Sequence, residues 1–253
     1  MASFRALYSR STSFKKMAQA VAKISDEATL KAAEEGIIIW AFSPDKTVLG
    51  VIRLEANAFD EYTVDGEVGL SVNSSELYRV ARRATRNDSV ILSYSSGFPG
   101  LSVELQDRKT SFSRSFTVSA METSEADIRE INMTPTARIV LTSDDLGTLI
   151  SDVKTVGDIV ELVAAEDGLQ VRSSAEGKDY VWTMKQGAPL QEISVESETK
   201  ASYSVKSLYS SLRPIVAVAD TVTIEYATDY PLKISVSTGG PEQVVIYIAP
   251  VQG

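Results

Sequence analysis

The sequence contains no cysteine and no histidine. Without cysteine there are no disulfide bonds, thiol nucleophiles or thiolate metal ligands. Without histidine the commonest general base and the commonest transition-metal ligand are both missing, which excludes a Ser-His-Asp triad. Carboxylate–Mg²⁺, Ser–Lys and paired-carboxylate chemistry remain open to an enzyme.

Long apolar segments are also missing. No run of 18 apolar residues occurs, so the sequence predicts no membrane-spanning helix. The first ten residues lack the apolar stretch that is typical of a secretory signal. We therefore expect a cytosolic or nuclear protein.

Positive charge is scarce, with 25 Lys and Arg against 34 Asp and Glu and a net charge of −9. This balance by itself argues against nucleic-acid binding, because contacts with phosphate need Lys and Arg. The 253 residues, 43% of them hydrophobic, are enough for two domains of about 120 residues with a core each. The positions of the cations must decide whether DNA is a partner.

An internal duplication organises the chain. When the sequence is shifted against itself by 132 positions, residues 30–36 fall on residues 162–168, and residues 88–94 fall on residues 220–226. One offset that holds at both ends of a repeat predicts two copies of a single structural unit.

We predict an N-terminal domain of residues 1–118 and a C-terminal domain of residues 134–253. The intervening residues 119–133 fit no strand or helix pattern well and are interpreted as an extended acidic connector. Its charged residues are Glu122, Glu125, Asp127, Arg129 and Glu130.

Each half is predicted to be mostly strand with two helices. The predicted strands are residues 4–8, 29–33, 37–42, 48–54, 68–72, 89–94, 101–105 and 112–118, then 138–141, 160–164, 169–173, 180–184, 193–195, 222–226, 232–236 and 244–248. The predicted helices carry apolar residues at i, i+3, i+4 and i+7, starting at Phe14, Leu77, Leu146 and Val205. Asn73 with Glu76 resembles a capping box for the second helix, and Ser143 is a favourable start for the third.

The second helix carries the clearest functional signal. With Leu77 at zero and about 100° per residue, Arg79, Arg82, Arg83 and Arg86 fall between about 140° and 240°, opposite the apolar stripe. Four like charges on one face repel each other, and in an acidic chain they indicate a polyanionic partner. No aromatic residue interleaves with them, which favours duplex phosphate over stacked single strands.

The other helices carry fewer cations. Further candidate DNA-facing residues are Lys15, Lys16, Lys23, Lys154, Lys206 and Arg213. The third helix is the exception, because Thr148, Ser151, Asp152 and Thr155 form its predicted outward face and only Lys154 is positive. A single cation of this kind is most often part of an ordinary solvated helix surface.

The sequence resembles the sliding clamps of archaea and eukaryotes, the proliferating cell nuclear antigen family, over essentially its whole length. The resemblance is carried by Phe14-Lys15-Lys16, Glu35-Gly36-Ile37, the segment Phe59-Asp-Glu-Tyr62, Gly157-Asp158, Pro231-Leu232 and the terminal Tyr247-Ile248-Ala249-Pro250. It implies an α+β fold of two tandem clamp domains, with outer antiparallel sheets and four helices that line an inner face. It also implies a ring-forming trimer around double-stranded DNA, without catalytic residues, metal or cofactor.

The resemblance further implies how subunits and partners attach. Residues 111–118 of one subunit would pair with residues 179–184 of the next, which is either the same chain or a paralogue. A hydrophobic pocket would bind client motifs, and its residues would be Phe42, Lys46, Thr47, Leu49, Ile128, Ile131, Pro231, Tyr247, Ile248, Ala249 and Pro250. The implied clients are DNA polymerase, flap endonuclease, DNA ligase and the clamp loader.

Two features depart from the family pattern. The third helix carries Asp144, Asp145 and Asp152 where family members place basic residues, and the tail ends Pro-Val-Gln-Gly. We therefore hypothesise that the chain belongs to a heterotrimeric archaeal clamp.

Two alternatives stay open at this point. The first is a checkpoint-type clamp subunit, which has the same fold but different loaders and clients. The second is a Mg²⁺-dependent nucleic-acid enzyme that uses Glu34 with Glu35 or Glu166 with Asp167. These carboxylates are better interpreted as solvated hairpin turns, because they recur at equivalent positions in both halves. No P-loop motif is present.

Overall fold

The computed structural model describes residues 2–124, 127–128, 131–187 and 189–251. The chain divides into two compact units, which consist of residues 1–44, 50–129 and 240–244 in unit 1 and residues 45–49, 130–239 and 245–253 in unit 2. Glu125, Arg129 and Glu130 of the predicted connector lie outside the described residues. The assignment of residues 119–133 as a connector stays a prediction.

Unit 1 contains two helices and two antiparallel sheets. The helices are α1 (Ser11–Ile24) and α2 (Ser74–Ala81). The strands are β1 (Ser3–Tyr8), β2 (Glu27–Ala33), β3 (Gly36–Phe42), β4 (Val48–Glu55), β5 (Glu61–Asp65), β6 (Val68–Asn73), β7 (Asp88–Ser95), β8 (Leu101–Asp107), β9 (Ser113–Val118) and β10 (Ala120–Glu122). One sheet has the order β5-β1-β7-β8-β9, and the other contains β10-β6-β2-β3-β4.

Unit 2 repeats this arrangement. Its helices are α3 (Ser143–Val153) and α4 (Val205–Val216). Its strands are β11 (Ala137–Thr142), β12 (Ile159–Ala165), β13 (Gly168–Ala175), β14 (Lys178–Gln186), β15 (Pro189–Leu190), β16 (Glu192–Val195), β17 (Thr199–Ser204), β18 (Thr221–Tyr226), β19 (Leu232–Ser237) and β20 (Glu242–Ile248). One sheet has the order β15-β14-β13-β12-β17, and the other contains β20-β19-β18-β11-β16.

The predicted duplication is confirmed by the order of these elements. Strands β2 and β12 begin 132 residues apart, and so do helices α1 and α3. The predicted α+β class, with four helices and antiparallel sheets, is also confirmed for the described residues. In each unit the two helices pack against each other and bury their apolar faces.

Four strands were missed by the periodicity. They are β5, β10, β15 and β17. Strand β10 lies inside the segment that was predicted to fit no regular element, and it pairs antiparallel with β6 through Ala120 and Val72. Short strands of this kind are held by their partner strand, so they leave little trace in local sequence.

Side chains cap the starts of α2 and α3, and one detail of the α2 cap differs from the prediction. The Asn73 side chain accepts a hydrogen bond from the Glu76 N–H at 2.8 Å, as a cap should. The Glu76 carboxylate does not return the bond to Asn73, however, and accepts instead from the Ser119 N–H at 2.9 Å. Helix α3 begins at Ser143 as predicted, Thr142 caps it, and Asp144 and Asp145 occupy its first turn.

Candidate nucleic-acid and partner interfaces

The arginine set of unit 1 lies on and beyond the end of α2. The helix buries Leu77 and Val80 and ends at Ala81, after which the chain forms a loop that leads into β7. Arg82 is the C-cap of α2 with helical backbone angles, and Arg83 and Arg86 lie in the loop that follows, so the prediction that all four share one helix face is wrong for Arg83 and Arg86. All four side chains are nevertheless exposed.

Few negative charges oppose these arginines. Arg79 pairs with Glu76 at 3.3 Å on the exposed surface. The Arg83 guanidinium lies over the Phe116 ring, 5.9 Å from its centroid. Among the described residues, no acidic side chain lies within ion-pair distance of Arg82, Arg83 or Arg86, so their charge is available to an anionic partner.

The lysines of α1 lie in the same unit. Lys15 Nζ donates to the Ala84 carbonyl at 3.4 Å, which brings this side chain to the loop that follows α2. Lys16 is half-buried, and Lys23 is exposed in the last turn of the helix. Lys15 thus joins the arginine set through a contact that its helical position alone does not predict.

The cations of unit 2 are sparser. Lys154 follows α3, and its ammonium lies 3.6 Å from the centroid of the Tyr209 ring, a cation–π contact with α4. Lys206 and Arg213 are exposed on α4. Near α3, the Tyr180 hydroxyl donates to Asp152 at 3.3 Å, and burial, together with this carboxylate, raises the pKa of Tyr180 to about 12.

The predicted partner-binding residues of unit 2 meet at its C-terminal strand. The Ala249 N–H donates to the Thr47 carbonyl at 2.8 Å. Pro250 forms a bridge with Tyr203, and the Val251 N–H donates to the Ser202 carbonyl at 2.8 Å. Pro250 and Val251 are therefore held along β17.

The exposure of the predicted pocket residues varies. Leu49 and Ile248 are buried, with 2% and 1% of their surface exposed, and their role at the pocket stays a prediction. Phe42 is 39% exposed, which is high for a phenylalanine. The members with an intermediate exposure are Thr47, Ile128, Ile131, Pro231, Tyr247, Ala249 and Pro250, while Lys46 is exposed and has a left-handed backbone with φ of 61°.

Sequence reasoning missed Arg108 and Lys109. They lie on the turn between β8 and β9, where Arg108 donates to the carbonyl oxygens of Arg86 and Asn87. Two consecutive cations in a hairpin turn were the available signal. Their proximity to the loop after α2 depends on strand pairing, so it could not be predicted from the neighbouring sequence.

The carboxylate pairs that were considered as ligands for a Mg²⁺-dependent enzyme lie in exposed turns. Glu34 and Glu35 connect β2 to β3, and Glu166 and Asp167 connect β12 to β13, as predicted. Among the described residues, no three acidic side chains come together as metal ligands. Within the same residues, no helix combines the length and apolar character needed to cross a membrane.

Known proteins resemble the chain across both units. The family model described as the N-terminal domain of proliferating cell nuclear antigen matches residues 3–129. DNA polymerase sliding clamp 2 of Sulfurisphaera tokodaii is 26% identical over 97% of this chain and 98% of the relative. DNA polymerase sliding clamp of Pyrococcus abyssi is 26% identical, and DNA polymerase sliding clamp 1 of Saccharolobus solfataricus is 20% identical, each over 98% of this chain and 98–99% of the relative.

Proposed function

The chain belongs to the proliferating cell nuclear antigen family of DNA polymerase sliding clamps, and we propose that it forms one subunit of a ring around duplex DNA. A clamp of this kind is a processivity factor and performs no catalysis. The observation that carries the proposal is the exposed arginine set Arg79, Arg82, Arg83 and Arg86 in a chain of net charge −9 that matches sliding clamps at both ends.

The exposed cations would contact phosphates without reading bases. Contacts with phosphate carry no sequence information, so binding would be non-specific and would weaken as salt rises. Each exposed contact contributes roughly 0–1 kcal/mol, by analogy with surface ion pairs. Weak contacts allow the ring to slide, and topological closure then keeps it on DNA. The acidic remainder of the chain would disfavour DNA elsewhere on the surface.

Ring closure would use the edge strands. Among the described residues, β9 is the last strand of its sheet, and the two-residue β15 is the strand that covers the outer side of β14. Exposed edges are sites of aggregation unless another strand pairs with them. Head-to-tail pairing of β9 with β14 of a neighbouring subunit would satisfy both edges, and three subunits, identical or paralogous, would close the ring.

Clients would bind at the predicted pocket residues. The half-buried Tyr247 of unit 2 would provide apolar surface for a short motif with a Gln, an aliphatic residue and two aromatics. Aromatic anchors of this type dominate interface energies. We propose DNA polymerase, flap endonuclease, DNA ligase and an ATP-driven clamp loader as the partners.

The charge of α3 supports a ring of unlike subunits. Asp144, Asp145 and Asp152 place negative charge on a helix that would face DNA, so other subunits would supply more of the positive charge. Sedimentation of the purified chain tests this idea, because a stable trimer formed by the chain alone would remove the need for paralogues.

Topological retention provides the direct test of the function. The chain, loaded by its clamp loader onto primed circular DNA with any paralogous subunits, should stimulate a replicative polymerase and should leave the DNA when the circle is linearised. The Arg82→Glu/Arg83→Glu variant should lose loading or sliding with the assembly intact. Equal retention on circular and linear DNA, or no stimulation of synthesis, would contradict a topological clamp.

A further inference from the structure

The loop after α2 is fastened to the turn between β8 and β9 by one residue, Arg108. Its backbone N–H donates to the Asn87 carbonyl at 3.0 Å, and its Nε donates to the same oxygen at 3.1 Å. Its Nη2 donates to the Arg86 carbonyl at 2.7 Å. These three bonds hold the turn of residues 107–112 against the loop of residues 82–87.

Two aspartates lie where this loop and this turn meet, and the carboxylates of both already accept hydrogen bonds. Asp88 is 2% exposed, and its carboxylate accepts from Arg114 at 2.8 Å and from the Thr85 N–H at 2.7 Å. Asp107 accepts from the N–H groups of Lys109 and Thr110 at 2.9 and 2.8 Å. The Thr110 and Lys109 N–H groups lower the pKa of Asp107, so it stays ionised as a cap of its own turn. Asp88 is therefore paired with Arg114, and Asp107, which also attracts the neighbouring Lys109, is engaged mainly by the backbone of its own turn.

Cations from three elements gather around this junction. Lys15 reaches Ala84 from α1, and Arg83 stacks on Phe116. We call the following set the basic junction: Lys15, Arg82, Arg83, Arg86, Arg108 and Lys109. These six cations outnumber the two carboxylates, which already accept hydrogen bonds, so the cations repel one another. A bound polyanion would reduce this repulsion by neutralising their charge.

We propose that the basic junction binds the phosphate backbone of duplex DNA, with Lys109 as a direct contact and Arg108 as a positioning residue. This inference rests on the proposed function and extends the DNA surface onto a hairpin turn. The exposed Lys109 ammonium contacts a phosphate, while Arg108 fixes the carbonyl groups of Arg86 and Asn87 and thereby holds the arginine loop in place. Guanidinium groups on a fixed loop match phosphate geometry well.

The contact role of Lys109 is tested by salt-dependent binding. Fluorescence anisotropy with a short labelled duplex gives the affinity of the full chain at several salt concentrations. Lys109→Gln should weaken binding about three- to fivefold and lower the salt slope by about one, since one phosphate is no longer neutralised. Arg5→Gln removes an exposed cation of β1 that belongs to no proposed DNA surface or subunit interface, and it should leave both quantities unchanged.

The positioning role of Arg108 is tested by a conservative substitution. Arg108→Lys keeps the charge but lacks the planar fork that reaches two carbonyl groups. It should therefore weaken DNA binding as much as Arg108→Gln does, and hydrogen exchange of the amides of residues 85–88 should become faster in both variants. Full rescue of affinity by Arg108→Lys would overturn the positioning role.

The outcomes separate this inference from the proposed function. If Arg82→Glu/Arg83→Glu weakens binding while Lys109→Glu matches Arg5→Glu, the junction inference fails and the clamp stands. If the unmodified chain and its assembly show no retention on circular DNA, the clamp itself fails. A change in sedimentation with Lys109→Glu, at unchanged DNA affinity, would reassign the junction to a protein partner and overturn the inference.

Discussion

Arg10 and Glu242 are 232 residues apart in sequence, yet they form an ion pair inside unit 1. Arg10 Nη1 lies 2.7 Å from Glu242 Oε2, and the glutamate side chain is 0% exposed while the arginine is 37% exposed. The nearby Tyr8 hydroxyl has a raised pKa, first because it is buried and then because of the Glu242 carboxylate. The carboxylate therefore lies in poorly solvated surroundings and depends on Arg10 for compensation.

Arg10→Met should be strongly destabilising, since it leaves a buried carboxylate without its cation. Breaking a buried pair by removing one partner costs about 3–5 kcal/mol, and the partial exposure of Arg10 places the expectation near 3 kcal/mol. For a chain of this size, that corresponds to a fall in Tm of about 6–12 °C. The double variant Arg10→Met/Glu242→Met should recover much of the loss, because it removes the stranded charge as well.

Gly240 gives a second route to the same ion pair. A Cβ added at this glycine would lie 1.3 Å from Arg10 Nη1, so any side chain there displaces the guanidinium. Gly240→Ala should therefore destabilise the protein in the same direction, and its cost should be smaller when Arg10 is already methionine.

Urea unfolding followed by circular dichroism measures these costs. Arg138→Met is the matched control, because Arg138 and Glu192 form an Arg–Glu pair of unit 2 in which both side chains are exposed, and its loss should cost less than about 1 kcal/mol. If Arg10→Met costs no more than Arg138→Met, or if the double variant is no more stable than the single one, the burial argument is wrong.

Two further predictions concern acid stability and client binding. The Ser119 N–H lowers the pKa of Glu76, so the stability that this bond provides is present above about pH 4.5 and is lost as pH falls through the lowered native pKa. This loss forms part of the acid limb, the fall in the free energy of unfolding between about pH 6 and about pH 3. Glu76→Ala should make the acid limb flatter when urea titrations are repeated across this pH range. Tyr247→Ala should weaken a client peptide by about 1–2 kcal/mol in calorimetry without affecting retention on circular DNA.

Each of these two predictions has its own contradicting result. An acid limb that is the same with and without Glu76 would mean that the bond to Ser119 adds nothing to stability. For Tyr247 the control is Phe98→Ala, an aromatic residue of unit 1 that is 41% exposed and outside the predicted pocket. Full client affinity in the Tyr247→Ala variant would remove this residue from the pocket.

Local periodicity predicted most of the helices and strands but not their ends. The apolar spacing that begins at Leu77 identified α2, because a helix brings every third and fourth residue to one face. The same spacing continues to Ala84, which is buried although it lies beyond the helix. A helical projection therefore extended the helix too far and placed Arg86 on it. The exposure of Arg86 was predicted, but its backbone setting was not.

The partner surface was predicted only by resemblance, and the structure divides its members by burial. Leu49 and Ile248 are apolar residues in apolar strands, and nothing in their local sequence distinguishes a core position from a pocket lining. Burial depends on which elements cover a strand, and those elements are distant in sequence. Their proposed role at the pocket stays a prediction.

The sequence by itself determined the duplication, the apolar faces of the four helices and the strand-rich halves, because these depend on periods of two and about 3.6 residues. Three contacts were decided by the tertiary structure alone. Arg108 donates a hydrogen bond to the Arg86 carbonyl, β10 pairs with β6, and Gly240 leaves room for Arg10 beside Glu242. Such contacts join residues that are distant along the chain, so their partners are fixed by strand order and packing, which local patterns do not encode.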